Sequence, residues 1–313
     1  MRFINELVCF LTFRYVTKED HARALINFTS MMSTCQFTRV PSDFLMDHHH
    51  DVFHDSMAGL RECLGHNSLS SLSNLREALH RSTGPNRTQI ANELNSVSGK
   101  VTVCLEQQRK LCLSSSVIVI KSIRLKMRHV QSLLSLFPNM KVIHLVRDPR
   151  GMFNSQNDVG NGKDMRGIVS ECHALTSNLI LSKSIFTEGG ESALTTVRYE
   201  DLAENPLQTA KRLFEFIGVE FSSYIQQYVK NITSAEANND AFGVRRKDST
   251  ATANRWRTMI DFKSVELIDS ICSFSSNILG YLPFSSNTDL KNGTIPSRTW
   301  TNITNHLMYD NRF

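Results

Sequence analysis

Residues 141–156, KVIHLVRDPRGMFNSQ, constrain the fold more than any other stretch of the chain. A short β-branched and apolar run (Val142, Ile143, Leu145, Val146) stops at Arg147, and Asp148-Pro149 follows at once. Asp is a favoured N-cap because its carboxylate accepts hydrogen bonds from the free N–H groups of a first helical turn. Pro suits the first helical position because its φ is already helical and the N–H it lacks would have no partner there. The pattern predicts a strand over 141–147 that hands over directly to a helix starting at Pro149. Strand-then-helix is half of a βα unit, and such units build parallel sheets flanked by helices.

The same alternation runs along the chain. SSVIVIKS at 115–122 reads as a buried strand, and 124–137 as a helix carrying Leu125, Val130, Leu133, Leu134 and Phe137, stopped by Pro138. LTTVRYE at 194–200 reads as a third strand. NPLQTAKRLFEFIG then places Leu207, Ala210, Leu213, Phe214 and Ile217 on one helical face and ends at Gly218. SSYIQQYVKNI predicts a shorter helix, and KSVELIDSICSFSSNILG a longer one closing at Gly280. Between them, NNDAFGVRRKDSTATANRW is polar and basic and reads as a loop. LVCFLTF at 7–13 is far shorter than the ~20 residues of a membrane helix and reads as a buried strand. Residues 64–100 are polar with little periodicity. The expected organisation is one α/β domain over 1–284 and a poorly packed polar tail over 285–313.

Composition narrows the class of partner. Lys+Arg of 35 against Asp+Glu of 30 gives a net charge of +5, with no basic block or aromatic-basic interleaving, so no nucleic-acid partner is expected. The seven cysteines contain no Cys-x-x-Cys, which argues against a zinc ribbon. His50 and His54 stand at the i, i+4 spacing of a helical metal pair, but surface histidine clusters are common and no metal is expected. The absence of Gly-x-x-x-x-Gly-Lys-Ser/Thr argues against a P-loop NTPase. Five Asn-x-Ser/Thr sequons, at Asn27, Asn86, Asn231, Asn292 and Asn302, suggest a secretory chain in which cysteines pair. Cys104 and Cys112 are candidates for a local or a longer disulfide.

In open parallel sheets ligands bind beyond the carboxyl ends of the strands, where helix N-termini offer N–H groups to anions. Arg147 occupies such a strand end. Ser155 lies about two turns into the next helix at ~3.6 residues per turn, so one phosphate can contact both. The alternative for Arg147 is an ion pair with Asp148 or Glu200. The full string LVRDPRGMFNSQ resembles the 3′-phosphate-binding segment of the sulfotransferases that use 3′-phosphoadenosine 5′-phosphosulfate (PAPS), above all the Golgi carbohydrate sulfotransferases. VIVIKSIRL, VRYEDLAENPLQTAKRLFEFIGV, and RWRTMID through SICSFSSNILGY follow that family's order, so the resemblance spans roughly residues 100–282.

The resemblance implies a P-loop-like three-layer α/β fold with a central parallel sheet, and transfer of a sulfuryl group from PAPS to a carbohydrate hydroxyl. It also implies a glycan or proteoglycan acceptor, no metal, and residence in the Golgi lumen. Arg147 and Ser155 are then the 3′-phosphate ligands. Arg245 and Arg246, with Lys247, match a basic loop near the nucleotide; a solvated turn is the alternative. The chain departs from the family where an Arg-x-Gly-Ser/Thr-Ser/Thr-like loop should cradle the 5′-phosphosulfate. Residues 14–20 instead read RYVTKED, without glycine, with Arg14, Thr17 and Lys18 as the nearest polar groups. Either that loop has diverged or the N-terminus has been lost together with the membrane anchor of the relatives. FLMDHHHDVFH lies where relatives carry an acidic base, making Asp47 and His48 candidates for that role and Lys18 a candidate cation. A non-catalytic or truncated nucleotide- or glycan-binding relative is the alternative function.

Overall fold

The structure is a computed structural model that describes residues 7–8, 18–39, 62–63, 74–75, 78–81, 83, 85–122, 125–158, 160, 162, 164–239 and 243–299. The chain forms two compact units, Met1–Leu125 and Lys126–Phe313.

In the first unit β1 (Leu7–Val8) pairs in parallel with β2 (Ile120–Lys121). α1 (Lys18–Ser33) buries Leu25, Phe28, Thr29 and Met32, an i, i+3, i+4, i+7 stripe. α2 (Pro85–Leu113) takes Pro at its first position and buries Val101, Cys104, Leu105 and Cys112. Phe37, Cys63, Leu94 and Val97 pack around Val101, Cys104 and Leu105. Disulfides join Cys35 to Cys112 and Cys63 to Cys104, so Cys104 and Cys112 each take a distant partner and not one another. The expectation of a buried strand over 115–122 is corrected. Pairing with β1 reaches only Ile120 and Lys121, and Val117, Ile118 and Val119 are exposed.

The second unit opens with α3 (Met127–Leu136), followed by β3 (Val142–Val146), α4 (Pro149–Asp158) and α5 (Met165–Thr187). β4 (Leu194–Arg198) runs parallel to β3, in a register that sets Val146 beside Arg198. Both carboxyl ends therefore open at one edge. Tyr199 and Glu200, expected in the strand, instead begin α6 (Tyr199–Glu204). α7 (Pro206–Ile217) ends as predicted at Gly218, whose φ of 72° is the left-handed conformation a helix C-cap requires. α8 (Ser223–Thr233) follows. The segment expected as a loop contains α9 (Ser249–Asn254), because Asp248 accepts a hydrogen bond from the Ala251 N–H and caps it. α10 (Trp256–Met259) comes next.

The single helix expected up to Gly280 is two, α11 (Phe262–Ile271) and α12 (Ser273–Leu279), divided at Cys272. Cys272 is tied to Cys172 of α5 within a core that includes Phe153, Trp256, Val265 and Leu290. Nor is the segment after 285 loose up to residue 299. α13 (Asn287–Lys291) buries Leu290 completely, and Tyr281 forms an antiparallel bridge with the buried Arg298. Besides Leu290, its anchors include polar groups bonded to distant partners, which apolar periodicity does not register. Parallel strands linked through helices make the fold α/β, as the alternating pattern predicts. Among the described residues no helix is long and apolar enough to cross a membrane.

Candidate functional site

The site begins where β3 hands over to α4. Asp148 caps α4 as expected: its Oδ1 accepts from the Arg150 N–H at 2.9 Å. The same carboxylate also receives the Arg150 side chain in a two-point contact, Nε to Oδ1 at 2.9 Å and Nη2 to Oδ2 at 2.8 Å. Arg150 further donates to the carbonyls of Leu282 and Ser297 and pairs with Asp269 at 3.4 Å. Its guanidinium lies 4.9 Å from the Trp256 ring and 5.1 Å from that of Phe284. Burial alone would lower the Arg150 pKa, but the charge and hydrogen bonds of Asp148 outweigh it and the pKa rises. Every edge of this side chain is occupied inside the protein, so Arg150 is a structural cation.

Glu200 completes the junction. Its Oε1 accepts from the Asp148 N–H at 3.1 Å and its Oε2 from the Tyr281 hydroxyl at 2.8 Å. Burial, and then the nearby charge of Asp148, push the Glu200 pKa up. The starts of α4 and α6 and the segment beginning at Tyr281 thus meet through side chains that are almost fully buried. This network fixes the backbone on both sides of Arg147.

Arg147 itself takes no part in it. Neither Asp148 nor Glu200 pairs with it, and among the described residues it makes no ion pair. Its guanidinium rests over the Tyr199 ring, 4.7 Å from the centroid, and its Nε is buried without a hydrogen-bond partner. This buried donor retains unused hydrogen-bonding capacity, which buried polar groups in folded proteins rarely do. Ser155 is half-buried on α4 with no side-chain hydrogen bond among the described residues. Arg147 and Ser155 therefore share one strand-helix unit.

The 243–248 loop is ordered against α8. The Ala235 N–H donates to the Arg246 carbonyl, the Asn239 N–H to that of Arg245, and the Arg246 N–H to that of Ile232. The Arg245 side chain is exposed, while the Arg246 guanidinium donates to the Arg245 carbonyl at 2.7 Å. Lys18 opens α1, but its side chain lies outside the described residues, as do Arg14, Thr17, Asp47, His48, His50 and His54. Among the described residues no group of three or more His, Cys, Asp or Glu is arranged to hold a metal. Sequence reasoning overlooked Arg150, Tyr199 and Tyr281, and named Glu200 only as a possible partner of Arg147. The available signals were an Arg two residues beyond an Asp cap and a Tyr-Glu pair just after a paired strand.

The family model for the sulfotransferase family matches residues 30–223, more than half of the chain. The chain belongs to the sulfotransferase family. Among curated relatives, carbohydrate sulfotransferase 4 of Mus musculus is 26% identical over 233 residues, covering 64% of this chain and 59% of its own. Carbohydrate sulfotransferase 1 of Rattus norvegicus is 29% identical over 209 residues, covering 59% and 49%. The chain thus spans about half the length of the curated relatives it matches. Among solved structures, the sulfotransferase domain from the curacin biosynthetic pathway is 16% identical with a TM-score of 0.34, over 66% of this chain and 78% of that one. The sulfotransferase domain from the Synechococcus PCC 7002 olefin synthase is 16% identical with a TM-score of 0.35, over 78% and 90%.

Proposed function

We propose that the β3–α4 unit binds the 3′-phosphate of PAPS through Arg147 and Ser155, and that the protein moves the sulfuryl group to a carbohydrate hydroxyl. The observation that carries this reading is the Arg147 guanidinium, supported on Tyr199 with its Nε buried and unpaired. Transfer forms a bond from the acceptor oxygen to sulfur and breaks the bond from sulfur to the 5′-phosphate oxygen. The hydroxyl proton passes to a base, and charge accumulates on the departing phosphate. Asp47 and His48 are the candidate bases, and Lys18 is the candidate cation at the sulfuryl end. Arg245 and Arg246 add positive charge on the nucleotide side. The relatives' names favour a glycan acceptor. Three disulfides and the exposed sequon residues Asn27, Asn86, Asn231 and Asn292 favour the oxidising secretory pathway and a Golgi location.

A second reading, binding without turnover, is favoured by RYVTKED, which offers no glycine where backbone donors should approach the phosphosulfate. Calorimetry with adenosine 3′,5′-bisphosphate tests the binding half. Arg147→Ala loses a charge-assisted hydrogen bond worth about 1.5–3 kcal/mol, so binding weakens by roughly ten- to a hundredfold. Unchanged affinity refutes the assignment. Incubation with sulfur-labelled PAPS and a panel of glycans separates the two readings: incorporated label supports transfer, and binding without incorporation supports the second.

A further inference from the structure

Two buried side-chain polar atoms lack a hydrogen-bond partner among the described residues, Arg147 Nε and Gln156 Oε1, and both belong to the β3–α4 unit. Roughly nine in ten or more buried polar groups in proteins are paired, so two orphans in one strand-helix unit call for a shared explanation. They differ in kind. Arg147 Nε is a donor, and a phosphate oxygen satisfies it. Gln156 Oε1 is an acceptor, and a phosphate dianion, which carries only acceptors, cannot.

Gln156 directly follows Ser155. If Ser155 meets the 3′-phosphate, the group that completes Gln156 is a donor close to that phosphate. In a 3′-phosphorylated ribonucleoside one hydroxyl meets this description, the ribose 2′-OH on the neighbouring carbon. We infer that Gln156 forms a ribose subsite, in which its side-chain amide pairs with the 2′-hydroxyl of the nucleotide held by Arg147 and Ser155. A hydroxyl both donates and accepts, so the pairing holds whichever end of the amide is turned inward. The inference rests on the phosphate reading of Arg147 and Ser155, and it adds recognition of ribose over deoxyribose.

Calorimetry on the full chain with adenosine 3′,5′-bisphosphate and its 2′-deoxy analogue tests it. The wild type is expected to prefer the ribonucleotide by about three- to tenfold, the effect of one hydrogen bond. Gln156→Met, similar in length but without the amide, binds both nucleotides equally, at the wild type's affinity for the deoxy form. Arg147→Ala weakens both while keeping their ratio. A Gln156→Met protein that still discriminates, or a wild type that does not, overturns the ribose subsite and leaves the phosphate reading standing; this is also the result expected if a bound water satisfies Gln156. A wild type that binds neither nucleotide overturns both. Should Gln156→Met fail to fold, Gln156→Asn, with the amide withdrawn by one methylene, is expected to lose the ratio, and its retention refutes the subsite equally.

Discussion

Both units carry disulfides, two in the first and one in the second, but only the second adds a buried network of charges at its strand ends. In the first, disulfides across 77 and 41 residues fasten α2, and two of the cystine sulfurs belong to the small cluster around Val101 and Leu105. In the second, Asp148, Arg150, Arg198, Glu200, Tyr281 and Arg298 are buried and bonded to one another, to backbone carbonyls or, for Arg298, to the carboxylates of Asp201 and Glu204. A cystine constrains which segments are neighbours, largely by restricting the unfolded chain. A buried ionic network also dictates where each backbone group sits, because any misplacement leaves a desolvated charge unpaired. Precision at the proposed phosphate end therefore rests on the second device.

The largest effect is expected when Asp148 becomes Ala. Arg150 is then a buried cation without its main partner and α4 loses its cap, a cost of about 3–5 kcal/mol measurable by urea unfolding. Hydrogen exchange sharpens the contrast: peptides from 142–158 and 194–204 lose protection, while those from 85–113 keep it. Next comes Cys63→Ala with Cys104→Ala, expected to cost about 2–5 kcal/mol and to act first on exchange within 85–113. Protection lost from α4 ahead of α2 in that variant breaks the comparison. Gly151→Ala is smaller. A Cβ there meets Trp256 Cδ1 at 2.9 Å, so α4 and α10 must part, at about 1–3 kcal/mol, and nucleotide affinity falls with it.

The smallest effect concerns Asp269, whose pKa is raised to about 6 by burial and the charge of Asp148, with Arg150 opposing. The folded state holds this proton more tightly than the unfolded state, so the residue contributes stability at low pH that is lost as pH rises from about 4 to about 6. Asp269→Asn removes that loss. The variant gains on the wild type across that window and holds the gain above it, a difference read from urea melts at a series of pH values. A constant offset between the two proteins refutes the buried-carboxylate account.

Local signals made part of this legible. The β3–α4 junction followed from Asp148-Pro149, and the end of α7 from Gly218, because caps and turns are decided by adjacent residues. Arg147 was picked out by its strand-end position and by the surrounding motif. Its neighbour Arg150 carries the same charge but faces inward, a difference set by Asp269, Leu282 and Ser297, far away in sequence. The break at Cys272 and the packing of residues 287–298 were hidden for the same reason, since a cystine partner and a carbonyl cluster leave no periodicity. Arg257 illustrates this: it holds that segment by donating to the carbonyls of Asp289, Leu290, Asn292 and Ile295. The candidate bases at Asp47 and His48 fall outside the described residues, so the proposed site is readable at its phosphate end.

The reach of Arg150 bears on how the protein is made. Its carbonyl partners Leu282 and Ser297 lie 132 and 147 residues further along, and Tyr281 lies 81 residues beyond Glu200. The entropy of closing such loops grows only with the logarithm of their length, so the equilibrium cost of the distance is modest. Synthesis, however, is sequential, and domains emerge from the ribosome N-terminal end first. A nascent chain presents Arg147 and its proposed phosphate ligand set long before the segment that immobilises the turn beneath them has been translated. Until residue 297 is free, Arg150 lacks its Ser297 carbonyl partner, and the turn is incompletely held. The proposed nucleotide binding is therefore expected to be acquired late in biosynthesis.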